Sequence, residues 1–251
     1  MASLIHRRFL SFVVAAGVVV FALGAGPAQA GLVAQGTRLV FPDNEREITL
    51  RVNNTSDTPL LAQAWIDDGR QDVPPERLGM PFSITPSVTR VEPGGGMVLR
   101  IAYLGAALPK DRESLFWLNL LEVPPRDESD ENALQFSFRS RLKLFFRPSQ
   151  LKSVESAPGK LQWKLLESSS GSSVVRVENP TPYYISFSGV ELLVGGQKIS
   201  VGKGMVSPLS RKDFNFDWKS RTPIDRKSAS VRYEVINDYG GRPSFERTLG
   251  P

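Results

Sequence analysis

The chain contains no cysteine, and its one histidine, His6, lies within the first ten residues. These two absences remove whole classes of chemistry. Without a thiol there is no thiolate nucleophile, no thiolate metal site and no disulfide; without a histidine past position 6 there is no Ser-His-Asp or Cys-His arrangement and no imidazole ligand. A Walker-type glycine-lysine loop is also missing, so no nucleotide is expected, and no other cofactor or metal. Beyond residue 26 no apolar run is long enough to span a bilayer, which argues against membrane insertion. An exported fold with this composition has to be held by its core alone.

What is present begins with a leader. His6-Arg7-Arg8 precede an apolar run from Phe9 to Gly26, and Ala28-Gln29-Ala30 supplies the small-x-small pattern of a cleavage site. Residues 1–30 read as a secretory signal, with the mature chain starting at Gly31. Removal of Arg7 and Arg8 leaves 29 basic residues against 26 acidic, a net charge of +3. The cations are scattered, so a nucleic-acid partner is not expected. About 220 residues remain, enough for one large or two ordinary domains.

The mature sequence reads as short strands between Gly, Pro, Asn and Asp turns, with little helical period. Candidate strands are Leu32–Phe41, Glu47–Asn53, Leu60–Asp67, Phe82–Thr85, Met97–Tyr103, Leu115–Glu122 and Leu134–Arg147. Seven strands in roughly a hundred residues is the pattern of an immunoglobulin-like sandwich. Asn53 and Asn54 both stand in Asn-x-Ser/Thr sequences, read here as a surface loop. After Pro148-Ser149-Gln150 a second set follows: Leu161–Leu166, Ser173–Glu178, Tyr184–Leu193, Gln197–Val201, Asp213–Trp218, Ser228–Val235 and Ser244–Leu249. The expected class is all-β: two sandwiches, 31–148 and 149–251, joined at an angle with a cleft between them. No fixed sequence period links the halves.

The longest candidate strand, Leu134–Arg147, organises the rest. Leu134, Phe136, Phe138, Ser140, Leu142, Leu144 and Phe146 share one face, while Gln135, Ser137, Arg139, Arg141, Lys143 and Arg147 fall mainly on the other. At about 3.3 Å per residue it would run on the order of 45 Å, more than twice a usual strand. One small domain does not cover so long an apolar row. The exposed part invites aggregation unless it pairs with a strand of another protein. The acidic Asp127, Glu128, Asp130 and Glu131 before it read as a solvated loop.

Several ordered stretches give the chain a family resemblance. Gly36-Thr37-Arg38-Leu39-Val40-Phe41-Pro42, Ala62-Gln63-Ala64-Trp65, Leu108 to Pro124 (LPKDRESLFWLNLLEVP), Leu142-Lys143-Leu144-Phe145-Phe146-Arg147-Pro148, Glu178 to Tyr184 (ENPTPYY) and Ile236 to Pro243 (INDYGGRP) run through nearly all of the mature region. Together they resemble the PapD-like periplasmic pilus chaperones, partners of the outer-membrane usher. That family is itself a standard example of a sandwich fold and of pilin donor-strand complementation. The resemblance implies a periplasmic chaperone that lends a strand to pilins, the pilus (fimbrial) subunits, whose sandwiches lack one, and passes them to the usher.

By position, Leu134, Phe136 and Phe138 match the alternating residues that fill the pilin groove. Burying three such side chains contributes roughly 5–9 kcal/mol before ordering costs, at about 1.5–3 kcal/mol each. The alternative is that all three belong to the first domain's own core. Arg38 and Lys143 match the cleft cations that anchor the C-terminal carboxylate of the pilin, and Glu113, Arg147 and Asp238 match an ionic network that ties the domains together. The loop before the donor strand is short, and the second domain lacks the cysteine pair of long-loop relatives, which suggests a rod-building fimbria. Without a pilin, two copies are expected to cover their exposed strands against each other as a homodimer at high concentration.

Two other functions compete. A hydrolase would have to use paired carboxylates, but candidates such as Asp67-Asp68 read as turn residues. A fimbrial subunit or other extracytoplasmic immunoglobulin-like adhesive module would be a single incomplete sandwich, usually with a disulfide, which two complete cysteine-free sandwiches argue against.

Overall fold

The computed structural model describes residues 31–125, 135–152, 154–167, 172–217 and 228–249. The leader 1–30, the acidic residues 127–131 and Leu134 lie outside the described residues. Sixteen strands are described: β1 Leu32–Ala34, β2 Arg38–Pro42, β3 Glu47–Asn54, β4 Leu60–Asp67, β5 Phe82–Thr85, β6 Val88–Val91, β7 Gly96–Tyr103, β8 Ser114–Val123 and β9 Phe138–Arg147 in the first half, then β10 Gln162–Glu167, β11 Ser172–Asn179, β12 Ile185–Val194, β13 Gln197–Val206, β14 Ser210–Asp217, β15 Ser230–Val235 and β16 Ser244–Thr248. The first half stacks a sheet ordered β1-β3-β7-β5 on one ordered β2-β9-β8-β4-β6; the second stacks β10-β11-β14 on β13-β12-β15-β16. The protein is an all-β pair of immunoglobulin-like sandwiches.

Alternation builds each core. Leu142, Leu144 and Phe146 of β9 turn inward with Phe116, Leu118 and Leu120 of β8 and meet Leu50, Val52, Leu99 and Ile101 from the opposing sheet. The second core is aromatic at its centre, where Trp163 lies 4.9 Å from Tyr233 and 5.6 Å from Phe187 between ring centroids. Gly195 and Gly196, at φ +55° and +76°, form the two-residue turn between β12 and β13 that positive φ at both positions allows.

Several expectations change. The candidate first strand, Leu32–Phe41, is two strands: β1 pairs with β3 in one sheet, then the chain crosses through Gly36 (φ +119°) and β2 pairs with β9 in the other. Only a residue without a Cβ turns there at low cost. The strand Val88–Val91, absent from the expected set, pairs with β4. Asn54 is not a surface-loop residue. It is buried at the end of β3, where its amide donates to the carbonyls of Thr58 and Val91 at 2.8 and 3.0 Å and its oxygen accepts Ser56 N and Oγ. Asn179 ends β11 in the same way, donating to Tyr183 O and Ser207 O and accepting Thr181 N and Oγ1. One polar device thus closes the same corner in both halves, although no sequence period links them.

Candidate functional site: the domain junction and the open edge of β9

β9 runs from the open edge of the first sandwich into the contact with the second. Its C-terminal half, Lys143 to Arg147, lies between β2, to which it is parallel, and β8, to which it is antiparallel. Its N-terminal half, Phe138 to Leu142, pairs with β8 alone among the described residues, because β2 begins at Arg38 opposite Lys143. One row of backbone donors and acceptors is therefore open over those residues. The ladder ends where Glu122 faces Phe138. The expected strand start at Leu134 is shortened to Phe138, since β8 stops at Val123 and offers residues 135–137 no partner.

The side chains of this segment divide by face. Phe136 and Phe138 are 59% and 48% exposed, with ring centroids 6.5 Å apart, although their face continues into the buried Leu142, Leu144 and Phe146. Gln135 ties the lead-in to the end of β8 by donating to the carbonyls of Pro124 and Pro125, both at 2.8 Å. On the opposite face Arg139 and Arg141 lie back across the sheet. Arg141 Nη2 reaches Asp67 Oδ1 and Oδ2 at 2.7 and 2.9 Å, and both guanidinium Nε atoms donate to Asn119 Oδ1, at 2.9 Å from Arg139 and 3.1 Å from Arg141. Arg139 stacks over Trp65 and Arg141 over Trp117, at 5.2 and 4.6 Å. Asp67, 0% exposed, also accepts Gly69 N–H at 2.7 Å, so it is the expected turn residue and a guanidinium receptor together. Sequence reasoning missed Arg139, Arg141, Asn119 and the two tryptophans as a unit. Their common face follows only from the register Asn119↔Arg141 and Trp65↔Asn119.

At the junction Arg38 and Lys143 are register partners. Arg38 is 9% exposed; its Nη1 donates to Ile236 O at 2.7 Å, its guanidinium lies 5.6 Å from the Phe145 ring, and its buried Nε has no hydrogen-bond partner among the described residues. Lys143 Nζ donates to Ser186 Oγ at 2.9 Å. Burial, and then the neighbouring charge of Arg38, lower the Lys143 pKa to about 8. Burial likewise lowers the Arg38 pKa from its ordinary value. Neither cation forms a salt bridge to a carboxylate among the described residues. Arg38 also lines a cavity of about 210 Å³ whose other walls include Phe145, Tyr184, Ser186, Ile236 and Tyr239. Phe145, which sits on the mainly polar face of β9, is buried here, 5.8 Å from the ring of Tyr184.

Arg147 completes the junction. Its Nε donates to Glu113 Oε1 at 2.6 Å, and Nη1 and Nη2 to Asp238 Oδ2 and Oδ1 at 2.6 and 3.0 Å. Glu113 Oε2 accepts Tyr184 N–H at 2.8 Å, and Glu113 N–H donates to Pro182 O at 3.0 Å. Burial works against the charge of Arg147, and Asp238 and Glu113 outweigh it, so its pKa lies above the ordinary value. Burial pushes the Glu113 carboxyl upward against the pull of Arg147 and of the Tyr184 amide. The structure thus brings Glu113, Arg147 and Asp238 together, sets Arg38 beside Lys143, and leaves Phe136 and Phe138 in solvent.

The two-sandwich fold is that of a class of two-domain chaperones, which are not enzymes. Residues 31–152 match the family described as pili and flagellar-assembly chaperone, PapD N-terminal domain, and residues 156–247 match pili assembly chaperone PapD, C-terminal domain. The chain belongs to this family. It is 38% identical over 218 residues to the probable fimbrial chaperone YadV of Escherichia coli K12, covering 84% of this chain and 87% of that protein. The crystal structure of the CupB2 chaperone of Pseudomonas aeruginosa is similar at 68% identity and a TM-score of 0.75, covering 87% of this chain and 100% of that one. The SafB chaperone of Salmonella enterica, solved in complex with the SafA pilin, is similar at 29% identity and a TM-score of 0.71, with 89% and 99% covered. The family is periplasmic.

Proposed function

We propose that the mature chain, exported to the periplasm by cleavage of residues 1–30, captures pilins by donating Leu134, Phe136 and Phe138 to a pilin sandwich that lacks a strand. Arg38 and Lys143 hold the pilin's terminal carboxylate, and the loaded complex goes to the outer-membrane usher. The carrying observation is the placement of a backbone edge open among the described residues, and of two exposed phenylalanines, directly before two cations that lack salt-bridged carboxylate partners among those residues. A strand added there gains backbone hydrogen bonds, covers Phe138, and ends at the charges that fix its register. SafB, a relative, was solved with a pilin bound. Glu113, Arg147 and Asp238 set the angle between the sandwiches, 31–148 and 149–251, about Pro148.

The test is recovery of pilin with a tagged mature chain from periplasm. Phe138→Ser should abolish recovery while leaving thermal stability unchanged, since the ring is half exposed. Undiminished recovery would refute strand donation. The same open edge supports a self-capped homodimer, which concentration-dependent sedimentation of the free chain would reveal and a strictly monomeric profile would exclude.

A further inference from the structure

Gly31 and Leu32 make a contact with Glu122, outside the Arg38 and Lys143 pair at the junction. Both are buried, and their backbone nitrogens donate to the two oxygens of Glu122, at 3.2 Å from Gly31 and 2.6 Å from Leu32. The Gly31 carbonyl accepts from Thr55 N at 2.7 Å and Thr55 Oγ1 at 3.2 Å. A Cβ at Gly31 would meet Leu60 Cδ1 at 2.4 Å, so a larger residue there would have to move the Leu60 side chain. Glu122 is 6% exposed, and among the described residues these two nitrogens are the partners of its carboxylate. A carboxylate so enclosed is costly when its donors are neutral and favourable when one of them carries charge.

Cleavage after Ala30 supplies that charge. Hydrolysis adds one water across the Ala30–Gly31 peptide bond, the hydroxyl going to the Ala30 carbonyl and the hydrogen to the Gly31 nitrogen, which takes a further proton from solvent. A neutral amide with one hydrogen becomes an ammonium with three. We propose that Glu122 is the receptor for the ammonium group that leader removal creates at Gly31, and that this ion pair anchors the base of the donor strand in the processed chain. Glu122 faces Phe138 in the last pair of the β8–β9 ladder and Ala62 on β4, so the carboxylate stands where the open segment of β9 begins. Glu122 is a positioning residue, acting through the chain end it holds. The family match also begins at residue 31.

The inference rests on the leader reading and is tested apart from pilin binding. Four forms of the mature chain are made: starting at Gly31 or with one alanine placed before it, each with Glu122 or Glu122→Gln. The added alanine should lower the melting temperature of the Glu122 chain and leave that of the Gln chain unchanged. The Gly31 amine should react about tenfold more slowly with an acylating reagent in the Glu122 chain than in the Gln chain, the effect of a one-unit rise in its pKa. Additive melting shifts with equal labelling rates would overturn the pairing. If Glu122→Gln fails to fold, labelling of the unsubstituted chain decides: a rate equal to that of a free peptide of the same first residues overturns the proposal, and slow labelling supports it. Intact mass of the exported protein checks the premise, and a first residue other than Gly31 overturns the proposal while leaving pilin recovery as the separate test of chaperoning.

Discussion

Arg38 on β2 and Lys143 on β9 are direct partners in a parallel register, which places two cations side by side at the junction of the sandwiches. Like charges in that relation repel. Part of the electrostatic cost remains in the free protein: Arg38 has a carbonyl acceptor and Lys143 a hydroxyl, and Asp238 and Glu113 act on Arg38 without a salt bridge to it among the described residues. A carboxylate set between them relieves the repulsion and fills donors that are already oriented. Arg38→Ala and Lys143→Ala should therefore remain folded and bind a pilin tail roughly ten- to a hundredfold more weakly, as loss of a charge-assisted hydrogen bond of about 1.5–3 kcal/mol implies. Titration calorimetry with a peptide of the pilin's last residues, and with the amidated form of that peptide as control, measures this; equal affinity for acid and amide would remove the anchor role.

The depressed pKa of Lys143 separates stability from binding. In the unfolded chain Lys143 titrates near its ordinary 10.5, and in the fold near about 8. Between those values the unfolded state holds the proton that the native state has lost, so the contribution of this group to stability rises with pH across that window. Carboxylate binding runs the other way because it needs the ammonium. Tail-peptide affinity should fall above pH 8 by up to about tenfold per unit, while the free chain gains stability relative to Lys143→Met. Lys143→Arg should push the affinity loss to higher pH. An affinity that is flat across the same window would show that Lys143 takes no part.

The outer-face guanidinium pair leads to a third expectation. A strand has two edges and two faces. Over Phe138 to Leu142 one edge of β9 is bonded to β8, the other is open among the described residues, and one face presents Phe138. The remaining face is where Arg139 and Arg141 grip Asp67 and Asn119, so it is the side from which this segment is stiffened while Phe138 stays exposed. Arg141→Lys keeps the charge but loses the fork that reaches Asp67 and Asn119 together. It should speed amide exchange at Phe138 to Ser140 about tenfold, a local loss of roughly 1.4 kcal/mol, with β3 and β7 unchanged. A uniform rise across the sandwich would mean a global stability effect and no local splint.

Legibility differed between these features for physical reasons. Strand alternation was written plainly into Leu142, Leu144 and Phe146, and the excess of Phe136 and Phe138 over what the core needs could be argued from length alone. Which strand pairs with which was not legible. The switch of sheets at Gly36 and the partnership of Asn119 with both arginines depend on which strand lies beside which, and two-residue alternation carries no such information. Asp67 illustrates the limit: its turn role follows from Asp-Asp-Gly, whereas its grip on Arg141, 74 positions away, follows from tertiary register alone. Phe145 broke the alternation because the far face of β9 ceases to be solvent where the second sandwich covers it.

Arg147 stands between Glu113 and Asp238, and its removal gives the most informative change at the junction. Glu113, with a side chain 1% exposed, would keep its bond from the Tyr184 amide and lose its cation. Breaking a buried pair from one side costs roughly 3–5 kcal/mol, because the partner is left charged and dry. Arg147→Ala should lose about that much at neutral pH. The deficit has a sign in pH: burial already raises the Glu113 carboxyl above its ordinary value, and without Arg147 the rise grows. A native-state pKa above the unfolded one means that the folded chain binds the proton more readily, so this group's destabilisation is present above its folded pKa and disappears as pH falls below the unfolded one. The Arg147→Ala deficit should shrink on acidification. Arg147→Ala combined with Glu113→Gln should recover much of it at neutral pH, because the buried carboxylate that Arg147 compensated is then neutral. Small-angle scattering of the single variant should show a wider spread of angles between the sandwiches, since Asp238 and Glu113 are then no longer joined through one guanidinium. A pH-independent deficit, or a scattering profile identical to that of the unsubstituted chain, would mean that the junction is held by the packing of Phe145 against Tyr184 and not by the ionic network.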